Sequence, residues 1–214
     1  LFGASVHLLY IHRMTTSIVP ANTADVSDFT GGAESDVTCM MGISLVKDSP
    51  AVFFQYLGDD QQPAGLTLPS GKPITSLKNI TLAGISIAEN VGEFNATKLN
   101  LFLRSSAGSV VMLTSGLTTI WSQCVLGGLI GMFNSYDMAT AFNLDSWYGT
   151  SKLRPVFAAL KLNGTKVSDN DMYSSLADAR ADRDRAKTEA LLRDTVEVIN
   201  SQINGVPAVV AEVD

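Results

Sequence analysis

Apolar and polar side chains alternate almost perfectly along residues 96–105, ATKLNLFLRS. Successive side chains of a β-strand point to opposite faces of the sheet, so this pattern predicts a strand with one buried face and one open face. The buried face takes three leucines: Leu99, Leu101 and Leu103. The open face takes a ring, an amide and two cations: Lys98, Asn100, Phe102 and Arg104.

Two nearby segments predict strands beside this one. The first, residues 80–88 (ITLAGISIA), is rich in β-branched residues and carries Gly84 in its middle, where a lone glycine commonly marks a bulge or a tight bend. The second, residues 108–116 (GSVVMLTSG), follows a Ser-Ala-Gly turn. It is expected to form a hairpin with residues 96–105.

The hydrophobic period changes after residue 116, where apolar residues recur at steps of three to five. This spacing predicts one helix over residues 117–132, with Thr118 as its N-cap and with glycines that permit a close approach to the sheet. Two further strands are predicted for residues 140–147 (TAFNLDSW) and 154–162 (RPVFAALKL).

The order strand, strand, strand, helix, strand, strand is that of an OB-fold. The run KLNLFLRSSAGSVVMLTSGLTTIWSQCVLGGL, then FNLDSWYG, then RPVFAALKLNGTKV resembles the small OB-fold proteins of bacteriophages and bacteria that bind single-stranded DNA. The resemblance covers about residues 79–167 and implies sequence-tolerant binding of single strands. We therefore expect a mainly β protein with helices: an OB-fold-like five-stranded β-barrel with a helix between strands 3 and 4, an N-terminal β extension and a long C-terminal helix.

The chain is expected to have three parts. Residues 14–36 are small, polar and acidic without periodicity and residues 1–13 are apolar and partly basic; together residues 1–36 are expected to form a flexible arm. Within this arm Met14 is interpreted as the natural start, so that residues 1–13 are not native. Residues 37–167 hold the barrel and its β extension, and residues 168–214 hold the C-terminal helix and a tail.

Charge is unevenly distributed along the sequence. The formal net charge is −6, but residues 94–167 contain six basic residues against two acids and so carry +4, which leaves −10 for the rest. A local basic segment can attract a polyanion in spite of an acidic average.

Single-stranded nucleic acids are bound by aromatic faces that stack on bases and by cations that track the phosphates. For each of two rings a structural alternative to base stacking stays open: that Phe102 lies beneath the N-terminal strands, and that Trp147 closes the end of the barrel. The candidate nucleic-acid-binding residues are Lys98, Asn100, Phe102, Arg104, Trp147, Tyr148, Lys152, Arg154 and Lys161.

Signatures of catalysis and metal binding are missing from the sequence. The two histidines, His7 and His12, both precede Met14, and there is no Walker loop, HExxH or nucleophile elbow. Cys39 and Cys124 lack zinc-site spacing and are expected to be buried free thiols. We therefore expect no enzyme activity, no cofactor and no metal.

The expected partner is single-stranded DNA, during replication or recombination, in the cytoplasm or, for a phage-encoded protein, the host cytoplasm. Protein partners would bind the C-terminal helix or the acidic tail AEVD, and a homo-oligomer is expected. A membrane span is not expected, because the apolar run of residues 117–133 is short and interrupted by polar residues. The rival hypothesis is a structural or scaffolding β-barrel protein, such as a virion component.

Overall fold

The computed structural model describes most of the chain from residue 62 onward and parts of what precedes it. The described residues are 24–25, 36–37, 40–43, 49–57, 62–137 and 139–204. Several predictions concern residues outside these ranges: the arm up to residue 23, the Met14 start, Cys39 and the acidic tail.

Strands dominate this part of the protein. The strands are β1 (Ala24–Asp25), β2 (Asp36–Val37), β3 (Met40–Ile43), β4 (Phe53–Leu57), β5 (Gln62–Gly65), β6 (Ser76–Val91), β7 (Ala96–Arg104), β8 (Val110–Gly116), β9 (Phe142–Tyr148), β10 (Val156–Leu162) and β11 (Thr165–Val167). The helices are α1 (Ile120–Phe133), α2 (Asn170–Ala181) and α3 (Arg185–Ile203). The expectation of a mainly β protein with helices is confirmed.

The predicted closed five-stranded barrel is wrong. Apart from a small β1–β2 pair, the strands form one open, mixed, nine-stranded sheet in the order β11-β10-β9-β6-β7-β8-β3-β4-β5. Closure would need the free edge of β8, but β3 is hydrogen-bonded there in parallel, with Met41 opposite Leu113. The N-terminal β extension therefore continues the sheet where a barrel would close.

The long strand β6 joins the two halves of the sheet. Its residues 76–80 pair with β9, with Leu77 opposite Leu144, and its residues 81–91 pair with β7, with Ile85 opposite Leu101. The register shifts next to Gly84, so the bulge predicted at this glycine is present.

Helix α1 covers the buried face of the sheet and is tightly packed. A Cβ at Gly128 would lie 2.9 Å from Cδ1 and 3.2 Å from Cβ of Leu160, so a larger residue would require Leu160 to shift. The side chain of Thr119, not of Thr118 as predicted, caps the helix by accepting a hydrogen bond from the amide of Ser122 at 3.2 Å.

The single C-terminal helix that was predicted is two helices. The break falls at Arg183, which has a left-handed φ of 54°, and the carboxylate of Asp184 then caps α3. Both helices pack on the core and are therefore not purely surface helices. Their buried apolar side chains are Met172, Leu176, Leu192, Val196 and Ile199. Arg193 of α3 also bonds Glu189 at 2.6 Å and Glu89 of β6 at 2.5 Å.

No helix within the described ranges has both the length and the apolar character needed to cross a membrane. The same residues hold no cluster of three or more histidine, cysteine or acidic side chains suited to a metal ion.

Candidate nucleic-acid interface

Strand β7 places its two sets of side chains as the alternation predicts. Its three leucines are buried in the core, while the opposite side chains are partly or largely exposed. We call that exposed side the outer face. It comprises Lys98, Asn100, Phe102 and Arg104 with their cross-strand neighbours Thr81, Gly84, Ser86, Ala88, Val110, Met112, Thr114 and Gly116.

The outer face carries positive charge without a balancing acid. It contains no aspartate or glutamate, and in the described part of the chain neither Lys98 nor Arg104 has a carboxylate partner. The nearby Glu89 is bonded to Arg193 of α3 instead. That hydrogen bond, more than any other influence, lowers the pKa of Glu89.

Phe102 is half-buried and lies against its neighbour on β6. A Cβ at Gly84 would be 3.4 Å from Cδ2 of the Phe102 ring, so the glycine makes room for it. The ring thus covers bare backbone and also keeps an accessible part. Neither full burial nor full exposure describes it.

Trp147 lies on the surface of the β9–β10 hairpin and does not close an end of the sheet. It is 45% exposed and stacks on Phe157, directly opposite on β10, with ring centroids 6.2 Å apart and planes 20° apart. The core tryptophan is Trp121, whose Nε1 donates to Oγ of Ser146 at 2.9 Å.

Tyr148 and Arg154 contact each other and the segment before β4. The Tyr148 hydroxyl donates to the Ala51 carbonyl at 2.7 Å, and the Arg154 guanidinium sits 4.3 Å from the centre of the Tyr148 ring. Arg154 also donates to the Ser49 carbonyl at 3.3 Å. Burial raises the pKa of Tyr148, although the charge of Arg154 opposes the shift. These contacts fasten the loop of residues 149–155 to the rest of the fold.

Lys161 is held by a carboxylate. Its Nζ lies 2.7 Å from Oδ2 of Asp145, whose Oδ1 accepts a bond from the Ser76 hydroxyl at 2.6 Å. Burial by itself raises the pKa of Asp145, but the hydrogen bonds from Lys161 and Ser76 and the charges of Lys161 and Lys78 outweigh it and lower that pKa. Lys161 is thus largely neutralised.

A cavity of ≈ 480 Å³ lies between the start of β7 and the end of the β9–β10 loop. Lys98 lines it together with Gly116, Trp121, Pro155 and Val156. The exposed Lys152 belongs to the same loop as Pro155. The nine candidates therefore divide into three sets: Lys98, Asn100, Phe102 and Arg104 on the outer face, Trp147 and Lys152 on the β9–β10 hairpin, and Tyr148, Arg154 and Lys161, which are engaged in contacts within the fold.

Sequence reasoning overlooked three exposed or half-exposed apolar side chains near these residues. Phe157 completes the stack with Trp147, Leu153 is 86% exposed in the 149–155 loop, and Phe94 is 92% exposed in the turn between β6 and β7. Phe157 could be identified as a partner of Trp147 only from the register of the β9–β10 hairpin, which places the two residues opposite each other.

The chain was compared with protein-family models, curated proteins and solved structures, and none of them matches it. The resemblance to single-stranded-DNA-binding proteins therefore stays a prediction.

Proposed function

We propose that the protein binds single-stranded nucleic acid on its outer face, with DNA as the first ligand to test, and catalyses no reaction. One observation carries the proposal: β7 presents a half-exposed ring and two cations that have no ion-pair partner among the described residues, on a face whose own residues include no carboxylate.

The spacing of these side chains suits a backbone-tracking ligand. Side chains on one face of a β-strand recur about every 6.6–6.8 Å, so Lys98 and Arg104 lie roughly 20 Å apart with Asn100 and Phe102 between them. Phosphates of a bound strand would meet the two cations, and a base would stack on Phe102 between them. Stacking of one base on an aromatic ring is worth about 1–3 kcal/mol.

The β9–β10 hairpin provides a second contact area. Trp147 and Phe157 offer a stacked pair of rings, and Lys152 lies in the loop that meets Lys98 across the cavity. Tyr148, Arg154 and Lys161 have a supporting role, because their polar groups already bond within the fold. Contacts to phosphates and to ring faces do not read sequence, which suits a protein that holds exposed single strands during replication or recombination.

A titration of a fluorescently labelled oligo-dT, followed by anisotropy at several salt concentrations, tests the proposal. Each phosphate neutralised on a single strand contributes a slope of about −0.7 to the plot of log affinity against log salt, so Lys98, Arg104 and Lys152 together predict a slope of about −2. Absence of saturable binding at low salt would overturn the proposal. A large, stable oligomer together with that result would favour the structural role.

A further inference from the structure

A shallow hollow of ≈ 340 Å³ lies where α2 meets α3, beside the turn that leads from β8 into α1. Three guanidinium-bearing residues line it, along with an acid and two hydroxyl-bearing residues. They are Arg180, Arg183, Arg185, Asp184, Thr118 and Thr188.

Arg180 is positioned by a neutral group. It donates to Oε1 of Gln123, a side chain only 5% exposed. The Gln123 amide nitrogen is itself fixed by the Thr118 carbonyl at 2.8 Å. An amide and not a carboxylate therefore orients the Arg180 guanidinium, which forms no ion pair within the described residues.

The acids near the hollow are already engaged. The Asp184 carboxylate accepts from the Lys187 amide at 2.8 Å as the cap of α3, and Asp182 bonds Nζ of Lys187 at 3.2 Å. Within the described residues no carboxylate pairs with Arg183 or Arg185. Three positive charges therefore border the hollow against one capping carboxylate.

The backbone conformation of Arg183 is a further observation in favour of a binding role for its side chain. Its φ of 54° lies in the left-handed region that glycine adopts most easily, yet this position holds an arginine, with a long cationic side chain. An arginine at this position costs conformational energy that a glycine would avoid, which is consistent with a use for its side chain.

We propose that the hollow binds an oxyanion of the phosphate class. Planar guanidinium groups match phosphate oxygens with paired hydrogen bonds, and several of them on one concave surface outweigh a single exposed cation. Thr118 lines both this hollow and the cavity beside Lys98, so the two basic areas meet at the same turn. The inference goes beyond binding at the outer face and does not depend on it.

The test is a calorimetric titration of the full chain with inorganic pyrophosphate at low salt, on the wild type and on Arg183→Gly. Glycine removes the guanidinium and relieves the backbone, so the variant should keep or raise the melting temperature while its pyrophosphate affinity falls about tenfold. Arg185→Gln should show a similar loss. Lys72→Gln, a matched removal of one exposed cation that does not line the hollow, should bind like the wild type.

Two results would overturn the proposal: no saturable pyrophosphate binding by the wild type, or unchanged affinity in both Arg183→Gly and Arg185→Gln. Competition identifies the natural source of the anion. If oligo-dT displaces pyrophosphate from the wild type, the hollow accepts backbone phosphates of a strand. If pyrophosphate binds the wild type and loses affinity in Arg183→Gly, but oligo-dT does not displace it, the hollow binds a free phosphate compound. This conclusion stands even if the outer face binds no oligonucleotide.

Discussion

The two halves of the sheet that β6 joins contain the same kinds of side chain in different electrostatic situations. On the outer face, Lys98 and Arg104 flank Phe102, and neither forms an ion pair with a carboxylate of the described residues. On the β9–β10 hairpin, Lys161 is bonded to Asp145, and Arg154 covers Tyr148. A count of basic residues treats all four cations alike, whereas strand register decides which of them can accept a phosphate. We therefore expect the cations without an ion-pair partner among the described residues, more than the total charge, to determine binding at the proposed interface.

The largest expected effect comes from removing the free cations together. Lys98→Gln with Arg104→Gln should weaken oligo-dT binding by about a hundredfold at low salt, since a charge-assisted hydrogen bond is worth roughly 1.5–3 kcal/mol. The salt slope should fall to about −0.7. Lys161→Gln is the matched control from the other half, and its affinity should change less than about threefold. Equal losses in the two proteins would break the distinction between the halves.

Phe102→Ala tests the ring on the outer face. Its oligo-dT affinity should fall by about tenfold, since one stacked base contributes about 1–3 kcal/mol. Because the ring is half-buried, the free energy of unfolding should fall by less than the roughly 3–5 kcal/mol typical of a core phenylalanine. Denaturant unfolding and anisotropy measure the two quantities.

Leu101→Ala provides the control for that variant, because Leu101 lies on the buried face of the same strand. It should lower the free energy of unfolding by about 2–5 kcal/mol and leave the affinity of the folded protein unchanged. A Phe102→Ala protein that behaves like Leu101→Ala in both measurements would assign the ring to the core.

Asp145→Asn should remove the carboxylate that pairs with Lys161 and leave the Lys161 ammonium group available to a ligand. Loss of the carboxylate releases Lys161, so oligo-dT affinity should rise by about threefold and the salt slope should steepen by about 0.7. Anisotropy at several salt concentrations measures both. An unchanged slope would show that the ligand does not reach Lys161 at all.

The smallest effect concerns the pH dependence of stability. The pKa of Asp145 is lowered from its ordinary value of 3.8, so its carboxylate stabilises the fold above about that pH. The contribution is lost as the pH falls from 3.8 through the lower pKa of the folded state. For a partly exposed pair it should be below about 1 kcal/mol. Urea unfolding of wild type and Asp145→Asn should differ at pH 6 and converge in strong acid; a difference that grows on acidification would contradict this.

Local patterns predicted the strands at the centre of the sheet. Alternation in residues 96–105 identified β7 and assigned each of its side chains to the correct face. The glycine at position 84 signalled the irregularity in β6. These features follow from periodicity and backbone sterics, which act within a few residues of each other.

Pairing between distant segments could not be predicted in the same way. The sequence predicts an N-terminal β extension, but no local pattern indicates that β3 pairs with the free edge of β8. The Asp145–Lys161 bond depends on the register of a hairpin with a long connecting loop. The break between α2 and α3 at Arg183 occurs without a glycine or proline, so the residues that usually end a helix could not be used to predict it.

The pairing of β3 with β8 also has a kinetic consequence. On the ribosome β3 can pair with β4 soon after both emerge, but its parallel partner β8 is synthesised only after β6 and β7. Contacts between such distant segments slow folding, because the entropy of closing the intervening chain is lost before the contacts stabilise anything. The central hairpins should therefore assemble early, and the N-terminal segment should dock last.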